Sequence, residues 1–431
     1  MIFARLTQST QRRETILLWL AGAFLAVNAL ILSLVTDELW PPLGILVIWA
    51  GAAVTGHRAL NRLLPRRDPF LFPITALLTG WGLLLILRLA PDFAWRQAIW
   101  LYVSLGAMLV VSTLPLHLRW LRRYRYTWLF GGLILLLATI ALGVNPSGAG
   151  PRLWLGFGGF YFQSSELLKL VLVIFLASYL ADHRSAIRNE DARPRGFAAI
   201  ALTLGPLLLM WGLSVVVVIW QQDLGTATLF FIVFLTLLYI ASGQARYVLA
   251  GLALLLLAAV VAYRLFDVVQ LRFDVWLNPW PEANDRAFQI VQSLLALATG
   301  GILGQGIGLG SPGYVPVVHS DFIFAAIGEE WGLVGTLSVV AALAVLVMRG
   351  LQLATLWAES SFRLLLAAGL SVLLATQSIL IMAGVLKLVP LTGLTLPFMS
   401  YGGSSLLFSY ILMGLLLVLS SPLESPENNT P

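Results

Sequence analysis

The chain has no cysteine, and only 11% of its 431 residues carry charge. The first absence removes disulfide frameworks and thiol nucleophiles. The second removes an ordinary soluble domain, whose outside must be covered by polar groups. Lysine is nearly missing too: it occurs only at Lys169 and Lys387, and arginine serves elsewhere. What remains is apolar, with 59% hydrophobic residues and a mean hydropathy of +0.90. The apolar runs last about 20 residues, the length that crosses a hydrocarbon core as a helix. They do not alternate at period two, which excludes a closed barrel, the other structure that satisfies its backbone inside lipid. The expected fold is all-α, a polytopic integral membrane protein with about 12 transmembrane helices.

The sequence places these helices near residues 15–35, 42–60, 69–90, 95–114, 126–144, 166–182, 197–220, 224–242, 246–265, 322–348, 363–388 and 400–420. The first run follows Arg5, Arg12 and Arg13. It is too long for a signal-peptide core and lacks a small-residue cleavage site, so it reads as a retained helix. A net charge of +6 could suggest a nucleic-acid partner. The arginines lie in short clusters between apolar runs instead, as helix anchors do, so no nucleic acid is expected. Most of the 26 basic residues fall on one side: Arg5 to Arg13, Arg58 to Arg67, Arg119 to Arg125, Arg184 to Arg195, Arg246, Arg349 and Arg363. Arg88, Arg96, Arg152, Lys169, Arg264, Arg272, Arg286 and Lys387 fall near the other. The positive-inside rule then makes both termini cytoplasmic. No internal repeat is visible, which weakens a transporter built on paired halves. Two external loops result, 145–165 and about 266–320. The second contains AFQIVQSLLALAT (287–299), too short to span and expected as an interfacial or re-entrant helix.

That sidedness gathers four polar segments on the non-cytoplasmic side. In FQSSELLK (162–169), Glu166 and Lys169 share a helix face, and Ser165 can cap the helix start. In QQDLGT (221–226), Asp223 sits in a tight turn, where it either caps the next helix or does chemistry. In HSDFIFAAIGEEWGLVG (319–335), Asp321 stands at a helix mouth, and Glu329 and Glu330 lie about 12 Å deeper. Adjacent carboxylates at that depth call for a cavity or partners, with a structural hydrogen-bonded role expected. In PLTGLTLPFMSYGGSSLLF (390–408), proline and glycine break the helix at membrane depth, which requires burial in protein or a cavity wall. GGILGQGIGLG (300–310) has nucleotide-loop spacing but follows no strand. Close backbone packing, or approach to a lipid pyrophosphate, fits it better.

Together GPRLWLGFGGFYFQSSELLK, QQDLGTA, NPW with FQIVQSLLALATGG, HSDFIFAAIGEEWGLVG and PLTGLTLPFMSYGGSSL resemble the SEDS family (shape, elongation, division and sporulation), whose members include RodA and FtsW. Five motifs in order are a specific match. It covers roughly 68–420, the family-like ten-helix catalytic core, and leaves two added helices in 1–67 and a short cytoplasmic tail in 421–431. This fits an extended RodA-like subgroup. Ser164 and Gln222 stand where the family usually has proline. Val317 replaces a common acidic residue and Ser320 a threonine, which puts a role for that acidic position in doubt.

The resemblance implies a peptidoglycan glycosyltransferase in the bacterial cytoplasmic membrane. It would polymerise lipid-linked disaccharide-pentapeptide (lipid II) on the outer face, with inversion and release of undecaprenyl pyrophosphate. The partner implied is a class B penicillin-binding transpeptidase, with membrane lipids around both. An α-linked donor giving a β-linked glycan needs one general base and charge stabilisation on the diphosphate. The resemblance implies catalytic roles for Asp321 as base, for Lys169, paired with Asp321 or with phosphate, and for Glu166 positioning that lysine. Substrate contacts fall to Arg152, Trp154, Asp223, His319, Ser320, Gln292, Ser400, Tyr401 and Ser404. No cofactor is certain. A divalent cation would sit at Asp223 or Asp321, and Asp223 is the second choice of base. The rival readings are a lipid-precursor flippase or transporter, and a non-catalytic scaffold for a transpeptidase.

Overall fold

The computed structural model describes residues 2–113, 117–145, 152–158, 160–188 and 197–421. The expected tail lies outside them, apart from Ser421. The chain forms α1 (Ile2–Thr36), α2 (Trp40–Leu63), α3 (Leu71–Leu89), α4 (Pro91–Thr113), α5 (His117–Arg123) and α6 (Arg125–Leu142). A hairpin of β1 (Trp154–Phe157) and β2 (Phe160–Gln163) follows, then α7 (Ser164–Asp182), α8 (Arg184–Arg188), α9 (Phe197–Trp220) and α10 (Leu224–Ser242). The remainder is α11 (Ala245–Leu265), α12 (Asp267–Leu277), α13 (Phe288–Gly300), α14 (Ile323–Leu356), α15 (Ser361–Val385) and α16 (Gly403–Ser420). Among the described residues eleven helices are long and apolar enough to span a membrane, and the 24-residue α9 adds a shorter apolar stretch, Gly205–Trp220.

Hydrophobicity sorts these helices into layers. α7 is apolar all round below its first turn, and such a helix belongs in the middle of a bundle. Its most apolar stretch is 89% buried, against 6% for α11, which lies at the edge against α10 and α12. α15, α6 and α10 surround α7, and α16 packs along α4. α1 and α2 pack on α3 and α4 within the same apolar core as the rest. The 145–165 loop contains the antiparallel hairpin, with Trp154 opposite Gln163.

The glycine run does what close backbone packing requires. A Cβ on Gly300 would stand 1.8 Å from the Gly328 carbonyl oxygen, and one on Gly304 2.2 Å from that of Glu330. Without side chains the backbones bond directly. Gln305 N donates to Glu329 O (2.8 Å), Leu333 N to Gly301 O (2.9 Å) and Val334 N to Ile302 O (3.2 Å). α14 provides the free groups by kinking at Gly332, whose φ is 66°. α13 and its return therefore pack along α14 up to and just past its kink.

Candidate functional site

The site is organised by residues 386–402, which run without helix between α15 and α16. Pro390 and Pro397 supply no N–H, and buried backbone must still be paired. Leu396 N donates to Ser400 Oγ (2.9 Å), Ser400 Oγ to the Ser320 carbonyl (2.6 Å), and Tyr401 N to the His319 carbonyl (2.9 Å). From α4, Gln97 Nε2 donates to the Ser400 carbonyl (3.3 Å), and Gln97 Oε1 accepts from Gly402 N (3.2 Å). The broken segment thus holds residues 319–321 in place.

Asp321 is not a helix cap. The cap position of α14 is Phe322, and no side chain closes it. Ser320 Oγ donates to Asp321 Oδ1 at 2.8 Å. Asp321 Oδ2 faces Gly393, where an added Cβ would stand 3.9 Å away. Burial raises the Asp321 pKa above the ordinary aspartate value, while the Ser320 hydrogen bond and the Arg272 charge pull it down. Arg272, on α12, interacts electrostatically with both Asp223 and Asp321, and burial lowers its own pKa.

Asp223 does cap. Oδ1 accepts from Thr226 N (3.1 Å) and Oδ2 from Thr226 Oγ1 (2.8 Å) at the start of α10. Ser165, expected to cap α7, instead donates to Asp223 Oδ2 at 3.3 Å. The α7 cap position is Gln163, which makes no side-chain cap bond, because its extended backbone still belongs to β2. Gln222 has φ 61°, a conformation closed to the proline usual in the resembling family. Gly225 lets α10 approach the broken segment, since a Cβ there would stand 2.4 Å from the Thr392 carbonyl oxygen.

Glu166 and Lys169 form a buried pair at 2.6 Å, with side chains 7% and 3% exposed. Lys169 Nζ also donates to Gln377 Oε1 at 2.9 Å on α15. Gln377 Nε2 in turn donates to the Thr395 carbonyl at 2.9 Å, and Thr395 and Ser405 share a hydroxyl contact of 2.7 Å. Lys169 is thereby engaged by Glu166 and Gln377, and the basic group whose field reaches Asp321 is Arg272. The expected Lys169–Asp321 pairing gives way to this relay into the broken segment.

The other expected residues divide into two places. Ser404 Oγ accepts from Gln163 N (3.2 Å), which ties the hairpin carrying Trp154 to the start of α16. Arg152 is exposed just before β1. Arg96 acts electrostatically on the Tyr401 hydroxyl, and the Tyr401 ring lies 4.6 Å from Phe93, on which His319 stacks at 4.9 Å. Burial lowers the His319 pKa and raises that of Tyr401. Gln292 lies elsewhere, in a cavity of about 390 Å³ lined also by Thr299, Ser311, Tyr314 and Glu329. There Glu329 Oε1 accepts from Ser311 N at 2.8 Å, the hydrogen-bonded role expected of it, whereas Glu330 has Arg88 only as an ion-pair partner at 3.6 Å. A smaller cavity of about 220 Å³ beside Asp223 is lined by Gln222, Leu224, Leu265, Phe266 and Val269. Among the described residues no three His, Asp or Glu side chains gather as metal ligands.

Four contributors were missed from the sequence: Arg272, Gln377, Gln97 and Arg96. Arg272 carried a signal, as one of few basic residues on the sparsely charged side. Gln97 and Gln377 are lone amides inside apolar runs, which is itself a mark of an internal partner.

Comparison with known proteins gives one consistent answer. Residues 85–424 match the FtsW/RodA/SpoVE cell cycle protein family. The chain is similar to the peptidoglycan glycosyltransferase RodA of Mycobacterium leprae, 37% identical across 98% of this chain and 94% of that one. It is 35% identical to a probable peptidoglycan glycosyltransferase FtsW of Geobacter sulfurreducens, across 77% of this chain and 86% of the relative. Among solved structures it resembles a chain of a peptidoglycan synthase complex that coordinates polymerization and crosslinking, with TM-score 0.67 and 26% identity over 82% of this chain and 97% of that one. It also resembles the Thermus thermophilus rod shape determining protein RodA, with TM-score 0.58 and 25% identity over 82% and 96% of the two chains.

Proposed function

The chain belongs to the FtsW/RodA/SpoVE family of cell cycle proteins, and from that premise we propose that it is a peptidoglycan glycosyltransferase that polymerises lipid II. The observation that carries the site is the placement of Asp321. A half-buried carboxylate at a helix mouth, oriented by Ser320 and not spent on capping, lies within the field of Arg272.

Asp321 serves as the general base. It takes the proton from the 4-hydroxyl of the acceptor sugar as that oxygen attacks the anomeric carbon of the donor. Desolvation of its carboxylate strengthens it for this task. The glycosidic bond to diphosphate breaks on the opposite face, so the product is inverted. The leaving diphosphate needs positive charge rather than an acid. Arg272 supplies it, with Arg152 at the hairpin's exposed start as a further contact. Asp223 positions α10 and its approach to Thr392. Glu166 and Lys169 are positioning residues that act on the broken segment through Gln377. The apolar cavity beside Asp223 gives the lipid tail a lateral route at the edge helix α11.

The arginine distribution supports cytoplasmic termini and an extracytoplasmic site. The solved relatives are covered almost end to end by 82% of this chain, which supports a ten-helix core at about 68–420 preceded by two added helices. The synthase-complex relative supports a transpeptidase partner.

The test is polymerisation of lipid II by the purified protein, with and without a co-expressed transpeptidase. Asp321→Ala is expected to abolish glycan ladders at unchanged melting temperature. Near-normal ladders from that variant remove Asp321 as base. Lipid translocation by the wild type without any polymer favours a flippase.

A further inference from the structure

At the arginine-rich face, away from the polymerase site, α5, α6 and α7 border an open cavity of about 430 Å³. It is lined by Arg119, Arg122, Arg123, Arg125, Tyr126 and Asp182. Four arginines line it with a single carboxylate, and two of them bind that carboxylate. Arg122 donates to Asp182 Oδ1 at 2.5 Å, and Arg125 reaches Oδ2 of the same carboxylate. Arg125 is further fixed by Ser178 Oγ at 3.1 Å and lies 5.6 Å over the Tyr179 ring. Arg122 lies 5.8 Å over Phe362 and Arg123 5.8 Å over Tyr124.

We propose that this cavity binds the headgroup of an anionic phospholipid in the cytoplasmic leaflet. The proposal uses the orientation given by the arginines and is independent of the glycosyltransferase reading. Basic residues anchor helices on this side in any case, and for that alone they extend into water. Here four line one concave site, and Arg122, Arg123 and Arg125 each lie over an aromatic ring. Guanidinium forks match phosphate oxygens in pairs, and four of them against one carboxylate leave positive charge uncompensated. The depth also fits. Trp120, Tyr124 and Tyr126 are exposed around the cavity, and such rings sit at the headgroup level. A basic pocket between helices at that level meets lipid phosphates at far higher local concentration than any soluble anion.

The full-length protein is assembled in phosphatidylcholine nanodiscs with increasing phosphatidylglycerol. Lipids retained after transfer to detergent are counted by native mass spectrometry at rising salt. Wild type is expected to retain phosphatidylglycerol in a salt-sensitive manner. Arg119→Gln with Arg123→Gln is expected to weaken retention about fivefold per arginine removed. Arg58→Gln with Arg62→Gln, an equal change of charge at another exposed cluster on this face, should leave retention unchanged. Equal retention by all three proteins, or equal loss in both variants, overturns the site. Displacement of the lipid by millimolar inorganic phosphate makes it a free-anion site and overturns the lipid assignment. So does capture of a glutamate-rich peptide in place of phosphatidylglycerol. Should the Arg119/Arg123 variant fail to fold, salt release of phosphatidylglycerol from the wild type, compared with phosphatidylcholine, still decides.

Discussion

Two buried ion pairs sit at opposite faces of the bundle, and they are wired differently. Glu14 and Arg67 meet at 2.5 Å with both side chains fully buried. Their further partners close on themselves: His57 Nδ1 contacts Glu14 (2.7 Å), Arg67 donates to Asn61 Oδ1 (2.8 Å), and Asn61 Nδ2 contacts His57 Nε2 (3.0 Å). This ring ties α1 to α2 and to the turn before α3. Glu166 and Lys169 form an equally buried pair, but their chain of bonds leads out, through Gln377 to the Thr395 carbonyl in the broken segment. Similar chemistry therefore serves two ends. The closed ring only holds helices, whereas the open relay also shapes the wall that carries Asp321.

The largest effect tests what the open relay serves. Asp321→Asn is expected to cost about 10²–10⁴-fold in polymerisation rate, the usual contribution of a general base, with the thermal midpoint unchanged. Next come the pairs themselves. Removing one partner of a buried pair costs about 3–5 kcal/mol because the other charge is stranded. Lys169→Met and Arg67→Met should both destabilise to that extent in denaturation measurements. They should differ in turnover per folded molecule, which falls for Lys169→Met and holds for Arg67→Met. Equal turnover in the two variants would break the comparison. Restoring neutrality with Glu166→Gln in the Lys169→Met background should recover stability but not rate.

A smaller and sharper effect concerns pH. Asp321 works as carboxylate, so activity is lost as pH falls through its pKa, and burial sets that limb above the ordinary aspartate range. The Arg272 charge pulls the pKa down, so Arg272→Gln should move the acid limb of kcat/KM to higher pH as well as slowing turnover. A limb that stays in place or moves down would disconnect Arg272 from the base. The smallest effect is expected at the exposed rim. Arg122 is 49% exposed and Asp182 29%, so Arg122→Gln should change stability by less than about 1 kcal/mol.

How much of this was legible in the sequence follows from the physics of each part. The spans were legible because lipid demands long apolar runs. The packing of the glycine run was legible because Gly300 and Gly304 leave room that only backbone fills. The hairpin of 154–163 was not, because two four-residue strands carry too little pattern. Nor was the division of labour at the site. Sequence adjacency suggested that Ser165 caps its own helix, and the family resemblance that Lys169 pairs with Asp321 or with phosphate. Tertiary packing turned Ser165 to Asp223 and Lys169 to Gln377, and brought Arg272 to the carboxylates from a short helix that had read as loop.

The Glu166–Lys169 pair has a consequence for how the chain is made. Gln377 is 208 residues beyond Lys169, so it does not exist when α7 leaves the ribosome for the bilayer. A lone lysine entering lipid costs up to about 3 kcal/mol. Glu166, one turn away on the same helix, is already present and can neutralise it during insertion. The acid that steadies the lysine in the finished enzyme also serves as its escort into the membrane.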